Sequence, residues 1–332
     1  MFRVWRLNAS KGVPLPSQSF SLAKGSNDKI DLTHFFLKQL SEQSDISNLL
    51  NSNYKQHQAT LIHHDLDSLE HQDGLINQLL TANPLTITTH NTRNLSDTTK
   101  YTQLLENLTL HKVDFCDVTE TGHSKGQKYK MKHHKDFLAF WSSSINRYAG
   151  VGLIIHRKWC PFIQFTFLHN DRFIYVDLYF KGNIKVRIII VYIHVDPTTR
   201  QQRQILQSQL IELLKASHND QYHTIIMSDF NANLDKFYTS ISKHNKGSWQ
   251  YTLLHYLQQH RFSDLQLLFS ADPQHPGHTF ESCQNEAIIR IDTIFVFPNF
   301  PFSPLYCHTR KSFLYLSDHL IIAAYFQPIE SK

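Results

Sequence analysis

The sequence predicts an α/β domain with two packed β-sheets, and two observations carry this prediction. First, a strand-like run that ends near residue 193 precedes an amphipathic stretch over 198–217 and a second apolar run at Ile225–Met227. A strand, a helix and a further buried strand in succession are typical of α/β architecture. Second, short apolar runs recur along the rest of the chain, which indicates more strands than one sheet would hold.

Composition sets the limits for this fold. The chain has 332 residues, of which 41% are hydrophobic and 12% aromatic, so it can bury a large core. The formal charge of +5 is compatible with a polyanionic partner but does not identify one. The four cysteines are widely separated and predict a reducing compartment rather than a disulfide framework or a metal knuckle. No apolar stretch is long enough to span a bilayer, so we expect a soluble intracellular protein without a membrane partner.

The chain divides into two parts by composition. Residues 1–83 form a polar extension in which apolar residues between Leu32 and Leu50 approach helical spacing. This extension could dock on the following domain, bind another protein or be partly disordered. We place the main domain at residues 84–327.

Within the main domain, local patterns predict the elements in order. Alternating or continuous apolar residues indicate strands, and apolar residues three and four positions apart indicate helices. The polar face of the longest helix, which includes Arg200 and Arg203, is expected to be solvated. The predicted elements are strand 85–90, helix 98–111, strand 113–120, a strand that enters through Gly150 and Gly152, strands 173–180 and 186–193 around a hairpin turn at 181–183, and helix 198–217.

The segment 223–235 contains the first candidate functional residues. Its apolar run stops at Asp229 and Asn231, and side chains two residues apart lie on the same face of a strand. Taken alone, these two residues could equally begin a turn. Two later strand-like runs carry acidic residues of the same kind, within Arg290-Ile291-Asp292 and Ser317-Asp318-His319.

The order Asp-Phe-Asn, Arg-Ile-Asp and Ser-Asp-His resembles the endonuclease/exonuclease/phosphatase superfamily, whose fold is that of DNase I. Three earlier residues match the same pattern, because Asn91, Glu120 and Tyr192 each fall at the end of a predicted strand. The resemblance covers residues 84–327. It implies a four-layer sandwich, in which two mixed β-sheets are flanked by helices.

The resemblance implies a metal site. Glu120 would hold Mg²⁺, or Mn²⁺ in its place, directly, while Asp318 would assist and Asn91 would orient the ligands. Oxygen ligands of this kind are those that Mg²⁺ prefers, and it is usually held by only one or two carboxylates.

The resemblance also implies a set of catalytic residues for the hydrolysis of a phosphodiester. Asp229 would position and deprotonate the attacking water, while Asn231 and Tyr192 would donate hydrogen bonds to the phosphate. His319, paired with Asp292, would present a protonated imidazole, because a carboxylate partner raises the pKa of a histidine.

The substrate is predicted less directly. Arg93 gives an Asn-x-Arg opening that resembles the endonucleases of LINE-type retrotransposons, which nick double-stranded DNA and imply a nuclear location. We expect Arg93 and Arg290 to bind substrate. The same fold also acts on RNA, inositol phosphates and sphingolipids, and a non-enzymatic binding module stays open. Nothing indicates the oligomeric state. Further basic residues could line a DNA groove or form a solvated loop, namely Lys125, Lys128, Lys130, Lys132 and Arg147.

Overall fold

Two mixed β-sheets form the centre of the described part of the chain in a computed structural model. The predicted helices between Leu32 and Leu50 lie outside the described residues, as do Lys125–Lys132 and Arg147. The structure describes residues 3–5, 84–122, 134–142, 149–169, 171–193, 199–242, 248–273, 276–282, 287–312 and 317–327.

The first sheet has seven strands in the order β1-β6-β7-β8-β9-β13-β10. Its strands are β1 (Arg3–Trp5), β6 (Ile163–His169), β7 (Phe173–Phe180), β8 (Ile184–Tyr192), β9 (Tyr222–Asp229), β10 (Ser263–Asp264) and β13 (Asp292–Val296). β8 and β9 are parallel, whereas β13 is antiparallel to β9. The hairpin predicted at 181–183 is confirmed, because it joins β7 to β8.

The second sheet has six strands in the order β14-β15-β2-β3-β5-β4. Its strands are β2 (Leu85–Asn91), β3 (Phe115–Thr119), β4 (Phe137–Trp141), β5 (Val151–His156), β14 (Ser303–Arg310) and β15 (Ile321–Gln327). β2 and β3 are parallel, and the other neighbours are antiparallel. A separate short hairpin consists of β11 (Phe280–Glu281) and β12 (Ile288–Ile289).

Helices cover both sheets. They are α1 (Thr98–Leu110), α2 (Arg200–Asn219), α3 (Leu234–Ser242), α4 (Thr252–Gln259) and α5 (Leu265–Leu268), with 3₁₀ turns at Arg157–Phe162 and Trp249–Tyr251. α1 packs its buried leucines against the second sheet, and α2 and α4 share an apolar core with β8 and β9. The sheets also contact each other through β2 and β3 on one side and β9 and β13 on the other. The four-layer α/β sandwich predicted from the sequence is therefore confirmed.

The core explains two of the sequence patterns. Ile225, Ile226 and Met227 have no exposed surface, because β9 lies between β8 and β13 and is covered on both faces. Gly152 lies on β5 beneath the ring of Trp141, and a Cβ at this position would collide with that ring. The small residue at the start of β5 therefore permits close packing of the neighbouring β4.

The compact unit that contains the described residues comprises Met1–Arg6 and Pro84–Gln327. Three residues of the N-terminal extension thus form β1, which pairs antiparallel with the edge strand β6. Among the helices described, none combines the length and the apolar character needed to cross a membrane.

Candidate active site

Two parallel strand pairs, one in each sheet, bring the predicted residues to one edge of the sandwich. In the second sheet Asn91 is in register with Thr119, and Glu120 follows directly after β3. In the first sheet Tyr192 is in register with Asp229. The carboxyl ends of parallel strands lie at the same edge of their sheet, which is the usual location of ligand sites in α/β proteins.

Hydrogen bonds join these residues across the two sheets. The Asn91 amide nitrogen donates to Glu120 Oε1 over 3.0 Å and to Asp229 Oδ2 over 2.9 Å. The Tyr192 hydroxyl also donates to Glu120 Oε1, over 2.9 Å. Because one nitrogen serves both carboxylates, their two oxygens lie within about 6 Å of each other. Four of the predicted site residues therefore form one connected group.

Glu120 and its neighbours fit a divalent cation. The Glu120 carboxylate accepts hydrogen bonds from two neutral donors, Asn91 and Tyr192, which fix its orientation without neutralising its charge. A second carboxylate, that of Asp229, faces the same amide. Mg²⁺ and Mn²⁺ prefer oxygen ligands, so the chemistry of this donor set suits either ion.

Asp229 is the buried carboxylate of the group. Both of its oxygens accept hydrogen bonds, Oδ1 from the backbone nitrogen of Asn231 over 3.0 Å and Oδ2 from Asn91. Burial raises the pKa of Asp229 to about 8, and the nearby charge of Asp292 acts in the same direction. A carboxyl group with a pKa near the working pH is suited to accept a proton.

His319 and Asp292 form a buried pair beside Asp229. His319 Nδ1 donates to Asp292 Oδ2 over 2.9 Å, and the ring of Phe280 meets the imidazole edge-on. Burial lowers the pKa of His319, but the charge of Asp292 and its hydrogen bond outweigh this effect and raise the pKa to about 9. The ligand atoms of Asp229, Asp292 and His319 lie within 4.8 Å of one another. These three side chains could hold a metal ion when His319 is deprotonated, whereas a protonated His319 offers a hydrogen-bond donor instead.

Three of the residues around the site adopt a left-handed backbone conformation. The φ angles are 47° at Arg93, 52° at Glu120 and 46° at Asn231. This region costs roughly 1–3 kcal/mol for a residue with a Cβ atom, and such outliers cluster at functional sites. Each of the three follows the end of a strand, where the left-handed turn changes the direction of the chain.

Arg93 and Asp318 lie next to each other at the rim of the site. Arg93 Nε is 2.9 Å from Asp318 Oδ1, with the arginine side chain 54% exposed and the aspartate only 5%. The backbone nitrogen of Arg93 also donates to Asn91 Oδ1. The predicted metal residue Asp318 is therefore paired with the predicted substrate-binding residue Arg93, whose side chain stays about half exposed.

Arg290 was predicted to bind substrate, but its burial contradicts this role. Its side chain has no exposed surface, and it donates from Nε to Asp235 Oδ1 over 3.0 Å and from Nη1 to Asp264 Oδ2 over 2.7 Å. A guanidinium enclosed in this way cannot contact a substrate. Arg290 instead ties the chain just before β13 to α3 and β10.

Thr279 is a residue of the site for which the sequence predicted no role. Its side chain is fully buried, and its hydroxyl accepts from the backbone nitrogens of Ile291 and Asp292, each over 3.0 Å. It therefore fixes the backbone that presents Asp292 to His319. The only signal in the sequence was the pair Thr279-Phe280 ahead of Arg-Ile-Asp.

Comparisons with known proteins found similar structures but no relative by sequence. No family model matches the chain, and no curated protein matches it in sequence. Among solved structures, the AP endonuclease LMAP from Leishmania major is similar with a TM-score of 0.59 and 13% identity, over 73% of this chain and 87% of that one. The 3'-5' exonuclease NExo from Neisseria meningitidis has a TM-score of 0.55 and 17% identity, over 73% of this chain and all of that one.

A third similar structure is the endonuclease domain of TRAS1, a telomere-specific non-LTR retrotransposon, with a TM-score of 0.50 and 11% identity over 74% of this chain and all of that domain. The chain thus has the DNase I-like fold. The neighbours that share this fold include hydrolytic nucleases, and identities this low establish the fold alone.

Proposed function

We propose that this chain is a divalent-metal-dependent phosphodiesterase that nicks double-stranded DNA. The observation that carries the proposal is the single Asn91 amide that joins Glu120 of one sheet to Asp229 of the other, next to the His319–Asp292 pair. Hydrolysis of a phosphodiester needs charge stabilisation at the phosphoryl oxygens, a base for the attacking water and a group to support the leaving oxygen. The site holds candidates for all three.

Glu120 would hold the metal ion, with Asp318 as a contributor at the rim and Asn91 as the group that orients the ligands. A bound Mg²⁺ or Mn²⁺ supplies positive charge against the phosphoryl oxygens of the substrate. Asn91 keeps the Glu120 carboxylate in place by donating to Oε1. Tyr192 donates to the same oxygen and could transfer this hydrogen bond to a phosphate oxygen.

Asp229 would position the attacking water and accept its proton. Its two oxygens are held by Asn91 and by the backbone of Asn231, so the carboxylate cannot turn away. The Asn231 side chain donates to the carbonyl of Ile193 over 2.8 Å, and we propose that it moves to the phosphate when substrate binds.

His319 would stabilise the developing negative charge as an imidazolium. Asp292 accepts from Nδ1 and thereby directs the other ring nitrogen away from this pair. With a pKa of about 9, the imidazole is protonated at neutral pH. An interaction with charge that appears only in the transition state accelerates the reaction more than one that also binds the ground state.

DNA is our proposed substrate for two reasons. The accessible part of the Arg93 guanidinium lies at the rim, where it could contact a phosphate of a polyanion. Structures with the same fold include a retrotransposon endonuclease and a NExo variant bound to a product DNA hairpin. A DNA substrate would be consistent with a nuclear location, which we also propose.

Nicking of supercoiled plasmid tests the proposal. We expect nicking in the presence of Mg²⁺ or Mn²⁺, none with a chelator, and a loss of at least about 100-fold in Glu120→Gln and Asp229→Asn. Glu212→Gln is a matched control, because Glu212 is 71% exposed on α2 and pairs only with the nearby Lys215 among the contacts seen. Folded wild-type protein that leaves the plasmid intact with both metals would refute DNA as the substrate. RNA, inositol phosphates and sphingolipids would then be tested.

A further inference from the structure

The sequence suggested that Arg203 lies on a solvated face of α2, and the structure contradicts this prediction. Arg203 is a buried residue that is only 5% exposed, whereas Arg200, one turn earlier on the same helix, is exposed. A guanidinium withdrawn from water needs hydrogen-bond acceptors to offset the cost of its burial. Its acceptors therefore show what it does.

Among the described contacts, its acceptors are two successive carbonyl groups of the loop that carries the proposed catalytic residues. Arg203 Nη2 donates to the carbonyl of Phe230 over 3.3 Å and to that of Asn231 over 3.1 Å. These residues directly follow Asp229 at the end of β9, and Asn231 adopts the left-handed conformation. The guanidinium thus binds both carbonyl groups of a turn whose backbone is strained at Asn231.

The guanidinium is itself fixed in place. The ring of Trp249 lies 5.9 Å from Arg203 and 5.0 Å from Arg200, which is within range of a cation–π contact for both. Gln207, one turn further along α2, donates to the carbonyl of Trp249 and accepts from the backbone nitrogen of Leu253. These bonds secure Trp249 and α4 against α2, so Arg203 has little freedom to leave the loop.

The other bonds of the loop run to different elements. The backbone nitrogen of Phe230 donates to the carbonyl of Ile291, and the Asn231 side chain donates to the carbonyl of Ile193. These contacts attach the loop to the residues just before β13 and just after β8, the two neighbours of β9 in the first sheet. Arg203 is the contact that comes from the helix layer, and it alone reaches both loop carbonyls among the described contacts.

We propose that Arg203 is a positioning residue, which holds the Phe230–Asn231 turn so that Asp229 and Asn231 face the scissile phosphate. This inference rests on the proposed phosphodiesterase activity for its catalytic consequence. Its structural consequence is independent of any substrate, because the hydrogen bonds exist in the chain alone. An arginine suits the task, since Nη2 carries two N–H groups in the rigid guanidinium plane and can donate one to each carbonyl.

The test compares Arg203→Met with Arg200→Met. Both changes remove a cation that contacts Trp249, but only the first removes the bonds to the loop. Hydrogen exchange followed by mass spectrometry measures the protection of the peptide that covers residues 229–234. Single-turnover nicking with saturating enzyme and Mg²⁺ measures the rate of the chemical step, and enzyme in excess makes this rate independent of a small unfolded fraction.

We expect faster exchange at residues 229–234 in Arg203→Met only, and a single-turnover rate about 100-fold below wild type with plasmid affinity unchanged, because a misplacement of about 1 Å has this effect. Arg203→Lys, which keeps a charged donor, should recover part of both. Loop exchange in Arg203→Met equal to that in Arg200→Met, or a rate within threefold of wild type, would overturn the inference. A wild-type protein that nicks nothing would refute the proposed function, and loop exchange would still decide the positioning role.

Discussion

The pair formed by His319 and Asp292 gives the sharpest test of the proposed chemistry. The substitution Asp292→Asn keeps the shape of the side chain and removes the charge that faces the imidazole over 2.9 Å. Burial lowers the pKa of His319 and Asp292 is the largest opposing influence, so its loss should bring the pKa from about 9 to about the ordinary 6.5. At about 1.4 kcal/mol per unit, this corresponds to about 3 kcal/mol of lost stabilisation of the imidazolium.

In the proposed chemistry His319 acts in its protonated form, so a lower pKa of His319 should reduce activity. At pH 7.5 the wild-type imidazole is almost fully protonated, whereas only about a tenth carries the proton in the variant. We therefore expect a nicking rate at least about tenfold lower at pH 7.5, with a much smaller difference near pH 6. The alkaline limb of the profile of kcat/KM against pH should lie near 9 in wild type and move to lower pH in Asp292→Asn.

The assay is plasmid nicking at fixed Mg²⁺ and ionic strength between pH 5.5 and 10. The variant His319→Gln serves as a control, because it has no imidazole at this position. Its pH profile should therefore lack the alkaline limb. An alkaline limb that stays near 9 in Asp292→Asn would refute the reasoning, since the limb would then belong to another group.

Further predictions concern the amide at the centre of the site and the stability of the domain. Asn91→Asp replaces the donor shared by two carboxylates with a third carboxylate, and we expect plasmid nicking to fall at least about 100-fold; a rate near wild type would contradict this. Asp177→Asn removes the charge that balances the buried Arg187 and should lower the free energy of unfolding by roughly 3 kcal/mol in urea titrations, whereas no change would show that the pair is dispensable. Burial lowers the pKa of His111 to about 2 and that of His308 to about 4, so at these two residues the unfolded chain takes up protons first, and they should lower stability as pH drops from about 6.5 towards 4. Asp229, whose pKa is raised to about 8, acts in the opposite direction over the same window, so wild type is compared with His111→Gln and His308→Gln, which should lose less stability on acidification; an unchanged pH dependence in both variants would exclude the effect.

Local patterns in the sequence predicted the elements well, because periodicity depends only on neighbouring residues. The helix predicted at 98–111 is observed at Thr98–Leu110, and the one predicted at 198–217 is observed at Arg200–Asn219. The end of the second differs because the helix continues for two residues past Ser217, where the prediction ended. Such boundaries depend on capping contacts rather than on the apolar spacing.

The polar residues at the ends of strands were also visible in the sequence. Asn91, Tyr192 and Asp229 were each predicted at the end of a strand, and the two parallel strand pairs then bring these ends to one edge. The sequence could not show that a single amide serves two carboxylates, since Asn91 and Asp229 are 138 positions apart and belong to different sheets. Only the packing of the two sheets brings them together.

The sequence by itself determined the α/β class, several of the central strands and the chemical groups available at their ends. Tertiary structure alone decided the environment of each charge. Arg203 and Arg290 look like any surface arginine in the sequence, yet both are buried. Their acceptors lie 26 to 55 positions away, at Phe230, Asp264 and Asp235. Burial of a charge depends on partners supplied by distant segments, and these partners are in place only once the layers have packed.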